Sequence, residues 1–138
     1  MMGQPIDVPT HFSTFLAFDF GAKRTGVAVG NRMLRTATPQ ATIRAESNDA
    51  RLKAAEERVR DWRPDALVVG VPFHPDGTSH DNTLRARKFA RQLAARTKLA
   101  VYEVDERYST TEAAASGAAD HDAAAACVIL EQFLRSLP

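Results

Sequence analysis

A chain of 138 residues, 44% hydrophobic and 25% charged, has the size of one domain and can bury a core without disulfide or metal staples; this composition excludes a disordered tail protein, a collagen-like chain and a coiled coil. The net charge of +1 says little, but its distribution says more: residues 20–98 hold 16 Lys and Arg against 8 acids, while residues 99–138 hold 2 against 7. The longest apolar run, Ala123–Leu130, is far short of the roughly 18 residues of a membrane span, and a lone cysteine, Cys127, excludes an intrachain disulfide.

In chain order, residues 1–13 contain two prolines and no hydrophobic period, which predicts a flexible tail followed by a single domain over 14–138. Met1–Ser13 lacks both Lys or Arg and an apolar stretch, so no secretory signal is expected and a cytoplasmic location is. Thr14–Phe18 reads as a buried strand running into Asp19, and Gly26–Gly30 as its hairpin partner. Gly21 and Gly26 are the structural glycines of the turn. A weaker strand covers about Thr36–Ile43. Ser47 or Asn48 can cap a helix to about Trp62, with apolar positions at Leu52, Ala55, Val59 and Trp62. Ala66–Val71 is a continuous apolar run, as expected of a strand covered on both faces. A loop over Pro72–Asp81 leads to a helix over Asn82–Thr97 with Ala86, Phe89, Ala90 and Leu93 on one face. Leu99–Val104 is a further strand, Ser109 and Glu112 form the capping box of a short helix, and Asp122–Leu134 is the last helix. Three strands joined by short turns predict an antiparallel meander, and the helix-linked strands add in parallel by right-handed crossovers. The expected class is α/β, a ribonuclease-H-like mixed sheet with helices on both faces.

Four places carry chemistry. Asp19-Phe20-Gly21-Ala22-Lys23-Arg24-Thr25-Gly26 lacks the Lys-Ser/Thr of a phosphate loop and the three glycines of a dinucleotide loop. It leaves a strand-end carboxylate suited to a metal and two turn cations suited to phosphate; the bland alternative is a turn aspartate with solvated cations. Asp105, Glu106 and Arg107 end a parallel strand, where open α/β sheets place their sites. Alternation of side chains lets one of the two acids reach the site. Asp122 shares a helical face with Ala125, Ala126, Ile129 and Phe133, an odd place for a carboxylate without a partner. Arg85, Arg87, Lys88, Arg91, Arg96 and Lys98 follow one another with no acid between, a candidate phosphate-tracking face.

Together these blocks resemble the YqgF-type family of pre-16S rRNA nucleases, which is similar to bacterial Holliday-junction resolvases. The blocks are Asp19-x-Gly21-x-Lys23-Arg24-x-Gly26-Val27-Ala28; Val69-Gly70-Val71-Pro72 with Asp76-Gly77-Thr78 and Arg87-Lys88-Phe89-Ala90; Asp105-Glu106-Arg107 with Ser109-Thr110 and Glu112-Ala113; and Asp122 with Ala124-Ala125 and Ile129-Leu130-Glu131. The resemblance runs from about Phe15 to Leu134. It implies a catalytic and metal-binding triad of Asp19, Glu106 and Asp122 holding one or two Mg²⁺ or Mn²⁺ ions. It implies a nucleic-acid partner, an RNA precursor or branched DNA, gripped by Lys23, Arg24, Arg85, Arg87, Lys88, Arg91 and Arg107. The expected activity is endonucleolytic, most simply maturation of the pre-16S rRNA 5′ end. No membrane partner is expected, and the chain is expected to act as a monomer or homodimer. Two departures stand out: Ala114–Asp120 is short and alanine-rich, and Asp120 replaces a lysine frequent in the family.

Two other classes compete with this reading. An ATP-binding actin-like kinase shares the Asp-x-Gly hairpin but needs two such domains, and 138 residues supply one. A binding module without cleavage would leave three carboxylates repelling phosphate.

Overall fold

A computed structural model describes residues 8–74, 76–79, 81–105 and 121–138, His121 through its backbone alone. The first strand, β1 (Thr14–Asp19), is buried along Phe15–Phe18 and sits at the centre of the sheet. A central strand faces core on both sides, which is why its apolar residues run without alternation. It pairs antiparallel with β2 (Arg24–Asn31), which pairs antiparallel with β3 (Thr36–Arg44). β4 (Ala66–Val71) lies parallel to β1 on its other side, and β5 (Ala100–Asp105) lies parallel to β4. The order β3-β2-β1-β4-β5 is the expected meander extended by parallel strands. Pro39, which has no N–H to give, falls on the edge strand β3, where it is tolerated.

Among the described residues, two helices cover one face: α1 (Asn48–Trp62) and α2 (Asp81–Thr97). The third, α3 (His121–Arg135), covers the other. Leu16, Phe18 and Phe20 from β1 and the residue after it meet Leu52 and Ala55 of α1 and Phe89 and Leu93 of α2. Phe15 and Ala17, of opposite parity, meet Ala126, Ile129, Leu130 and Phe133 of α3. One strand thus feeds both cores, as the two-residue period of a strand demands. Ser47 is the N-cap of α1, accepting from the amide of Ala50 at 3.1 Å; Arg63 closes that helix in the left-handed region at φ 48°. Trp62, expected on the apolar stripe, is instead 43% exposed. It is the last helical residue, one before the left-handed cap at Arg63.

Two tethers fix the start of β1. The Asp65 carboxylate accepts from the amides of Ser13 and Thr14 at 2.8 and 3.0 Å, and these bonds hold its pKa below the usual carboxylate range. Of the segment expected as a flexible tail, residues 8–13 are described: Val8 is buried in the α3 core and Arg32 donates to the carbonyls of Pro9 and Phe12 at 2.8 and 3.3 Å, while Pro9, Thr10, His11 and Ser13 are exposed. The short helix expected from Ser109 lies outside the described residues. Among the described residues no helix is long and apolar enough to cross a membrane.

Candidate active site

Asp19 is the last residue of β1, in register with Gly26 on β2 and Gly70 on β4. Its parity is that of Phe15 and Ala17, so it belongs to the α3 face of the sheet. Both cross-strand neighbours are glycines, so neither sets a side chain beside the carboxylate. Gly70 is part of the signal too, although the sequence reading valued it only within a motif block. Gly26 has a second role: a Cβ there would run into the backbone carbonyl of Asp122. The first turn of α3 therefore rests on bare β2 backbone beside Asp19, and this close approach brings the two acids to one face and one end of the sheet.

Asp122 has a cation for a partner. Arg24 Nε donates to its Oδ2 at 3.0 Å, with the two side chains 58% and 33% exposed. A pair this open contributes at most about 1 kcal/mol, so a phosphate or a metal ion can compete for either half. The two flank a shallow depression of about 210 Å³ bordered by Gly21, Ala22 and Lys23. A Cβ on Gly21 would strike the carbonyl of Arg24, which accounts for glycine at that point of the turn.

On β5, Tyr102 and Val104 belong to the α3 core and Val101 to the other, which places Glu103 and, at the exposed strand end, Asp105 on the parity of the α1–α2 face. Glu106 and Arg107 lie outside the described residues, as does Asp120. Among the described residues no three His, Cys, Asp or Glu side chains gather as a metal site; the described part of the expected triad is Asp19 and Asp122. Their donor set is hard oxygen, and Asp122 already draws a cation, so the two suit Mg²⁺ or Mn²⁺.

The cations of α2 divide. Arg87 is engaged: its Nε donates to Glu103 Oε1 at 3.2 Å and its guanidinium lies 5.4 Å from the Phe73 ring centroid. Arg96 is likewise held, by Glu56 at 2.9 Å and Asp49 at 3.5 Å. Arg85 and Lys88 instead border a cleft together with Lys23, and Arg91 is exposed. Arg51, also in that cleft, was not foreseen. The signal was an arginine set four residues before Ala55 and eight before Val59, on the apolar stripe of α1.

Residues 13–136 match the family described as RuvX, Holliday junction resolvase. The chain belongs to the RuvX family. A relative from a Polaromonas species is 75% identical over 125 residues, covering 91% of this chain and 90% of its own, and one from Albidiferax ferrireducens is 66% identical over 133 residues, covering 96% and 85%. A Burkholderia mallei relative is 52% identical over 132 residues. All three bear the name "Putative pre-16S rRNA nuclease", so the resemblance drawn from the four motif blocks is borne out. The RuvX chain also shares its fold with Thermus thermophilus RuvC, solved with a Holliday junction substrate, at a TM-score of 0.59 and 15% identity over 89% of this chain and 94% of that one. A fowlpox virus Holliday junction resolvase superposes at a TM-score of 0.59 and 13% identity, covering 90% and 99%. The expected ribonuclease-H-like class is the fold observed.

Proposed function

We propose that this RuvX chain is a metal-dependent endonuclease that hydrolyses phosphodiester bonds in structured nucleic acid, with a pre-16S rRNA precursor as substrate and the cytoplasm as its setting. The observation that carries this reading is the seating of the Asp122 turn on Gly26, in register with Asp19, beside a turn bearing Lys23 and Arg24. Asp19, Asp122 and Glu106 would hold the metal. Glu106 is chosen over Asp105 because Asp105 has the parity of the α1–α2 face, opposite to that of Asp19. When bound, one or two Mg²⁺ or Mn²⁺ ions supply an activated water and charge stabilisation for an in-line displacement.

The chain's own residues orient the strand. Lys23 and Arg24 neutralise a backbone phosphate at the depression, and an arriving phosphate draws Arg24 away from Asp122, freeing that carboxylate. A second reading, branched DNA, follows from the family description. Both are tested by incubating the purified chain with a pre-16S precursor RNA and with a four-way DNA junction, in Mg²⁺, in Mn²⁺ and in EDTA. Discrete cleavage of the RNA that EDTA abolishes is expected. Cleavage of the junction alone selects the second reading, and no cleavage of either in any metal overturns both.

A further inference from the structure

Across the β1–β2 turn from the Asp122 depression lies a second, larger cleft of about 400 Å³, walled by Phe20, Lys23, Glu46, Arg51, Arg85 and Lys88. It opens on the α1–α2 side of the sheet. Four of these groups are cations and one is an acid. Arg51 is the buried one, only 4% exposed. Its guanidinium lies 4.8 Å from the Phe20 ring centroid, Nη1 donates to Asn48 Oδ1 at 3.1 Å, and Nη2 donates to the carbonyls of Ala22 and Ala45. These contacts come from the turn, the β3–α1 loop and α1 itself, so the group is held rigidly. None of them is a carboxylate. A buried cation that meets only neutral dipoles retains an uncompensated charge. Burial first, and then the nearby Arg85, pull the Arg51 pKa below the ordinary arginine value. An anion in the cleft would relieve both effects.

We propose that this cleft is a receptor for a phosphomonoester, either the terminal phosphate of a nucleic-acid strand or the phosphate of a free mononucleotide. Charge separates these from an ordinary backbone phosphate. A monoester carries about −1.5 to −2 at neutral pH, against about −1 for an internal diester, and four cations facing one acid match the larger charge. The volume falls in the range of about 300–1,000 Å³ typical of small-molecule sites, and Phe20 gives the cleft an apolar wall. The strand-end source rests on the nuclease reading. Ala22 and Lys23 border both the cleft and the depression beside Asp122, so a strand anchored by its end would cross the turn and be cut at a short, constant distance from that end.

The experiment is titration calorimetry on the full chain in EDTA. The ligands are a short RNA with a 5′-phosphate, the same RNA with a 3′-phosphate, the same RNA with hydroxyls at both ends, and AMP. At least one phosphorylated strand should bind about tenfold tighter than the hydroxyl strand, a difference of about 1.4 kcal/mol. Arg85→Ala and Lys88→Ala, both at exposed positions, should each remove most of that difference while leaving the melting temperature unchanged. AMP binding with the same sensitivity to the two variants assigns the ligand to free nucleotides as well; a phosphorylated strand binding where AMP does not assigns it to strand ends. Equal affinity for all three strands with no AMP binding overturns the proposal, and so does discrimination that survives both variants. Because no cleavage is needed for the readout, a wild-type chain that cuts in Mn²⁺ but shows no discrimination refutes the cleft alone. Discrimination in a chain that never cuts refutes the nuclease reading alone.

Discussion

An aspartate in the first turn of a helix gains about 0.3–1 kcal/mol from the helix dipole, and Asp122 adds to this a guanidinium at 3.0 Å. Both effects set positive charge beside this carboxylate, the place where a stronger cation would bind. Asp19 lies at the same face and end of the sheet, and Asp19→Asn separates chemistry from structure. If Asp19 is a metal ligand, cleavage should fall by two or more orders of magnitude, the melting temperature should stay within a few degrees, and metal-free binding should hold or improve. Full cleavage by a folded variant would remove Asp19 from the reaction. Asp65 supports the fold in a different way. Its pKa is depressed by two backbone donors, so its contribution is fully present above the unfolded value of about 3.9 and is lost as pH falls through the folded value. Asp65→Ala should cost about 1–2 kcal/mol at pH 7. The gap to the wild type should narrow steadily in urea melts run below pH 4, and a gap that widens there would contradict the assignment.

At the scale of elements, the docking of α3 on β2 decides the site. Gly26 and Gly30 both face that helix: a Cβ at Gly30 would crowd Leu130 and Leu134, and one at Gly26 would strike the backbone of Asp122. Gly26→Ala should therefore lower stability by about 1–3 kcal/mol and, by displacing the first turn of α3, lower cleavage more than its melting temperature accounts for. Unimpaired cleavage at unchanged stability would show that the contact is dispensable. Much of this architecture was legible in the residues. Strand and helix periods are local, and Ala66–Val71 or Asn82–Thr97 announce themselves within one window. Arg24 and Asp122 pair across 98 residues of sequence, and local patterns carry no such information. Arg51 was hidden for another reason: a cation on an apolar stripe looks like a surface residue until its stacking on Phe20 is seen. Trp62 misled in the opposite sense, because periodicity does not report where a helix overhangs its sheet.

For the molecule as a whole, basic and acidic halves of the sequence do not sort into two blocks. Two cations of α2 are paired with acids from other elements, Arg87 with Glu103 and Arg96 with Glu56 and Asp49. On the proposed reading, the charge left for phosphate is that of Lys23, Arg51, Arg85 and Lys88 around the cleft and of Arg24 at the depression. Replacing both Arg85 and Lys88 by Ala should reduce the log–log salt slope of nucleic-acid binding by about two units, while Arg87→Ala should change it by less than one. Filter-binding isotherms over a range of salt concentrations would decide, and a larger change for Arg87→Ala would reverse this ranking of the cations.

The β1–β2 turn, bordered on one side by the Asp122 depression and on the other by the Arg51 cleft, is a ridge only a few residues wide. A nucleic-acid duplex resists bending over lengths of about 150 base pairs and cannot fold around such a crest. A single strand can, and so can the hinge where helices branch. On the proposed nuclease reading, a strand that reaches both pockets would have to turn across these few residues, which would favour frayed ends and junctions over continuous double helix.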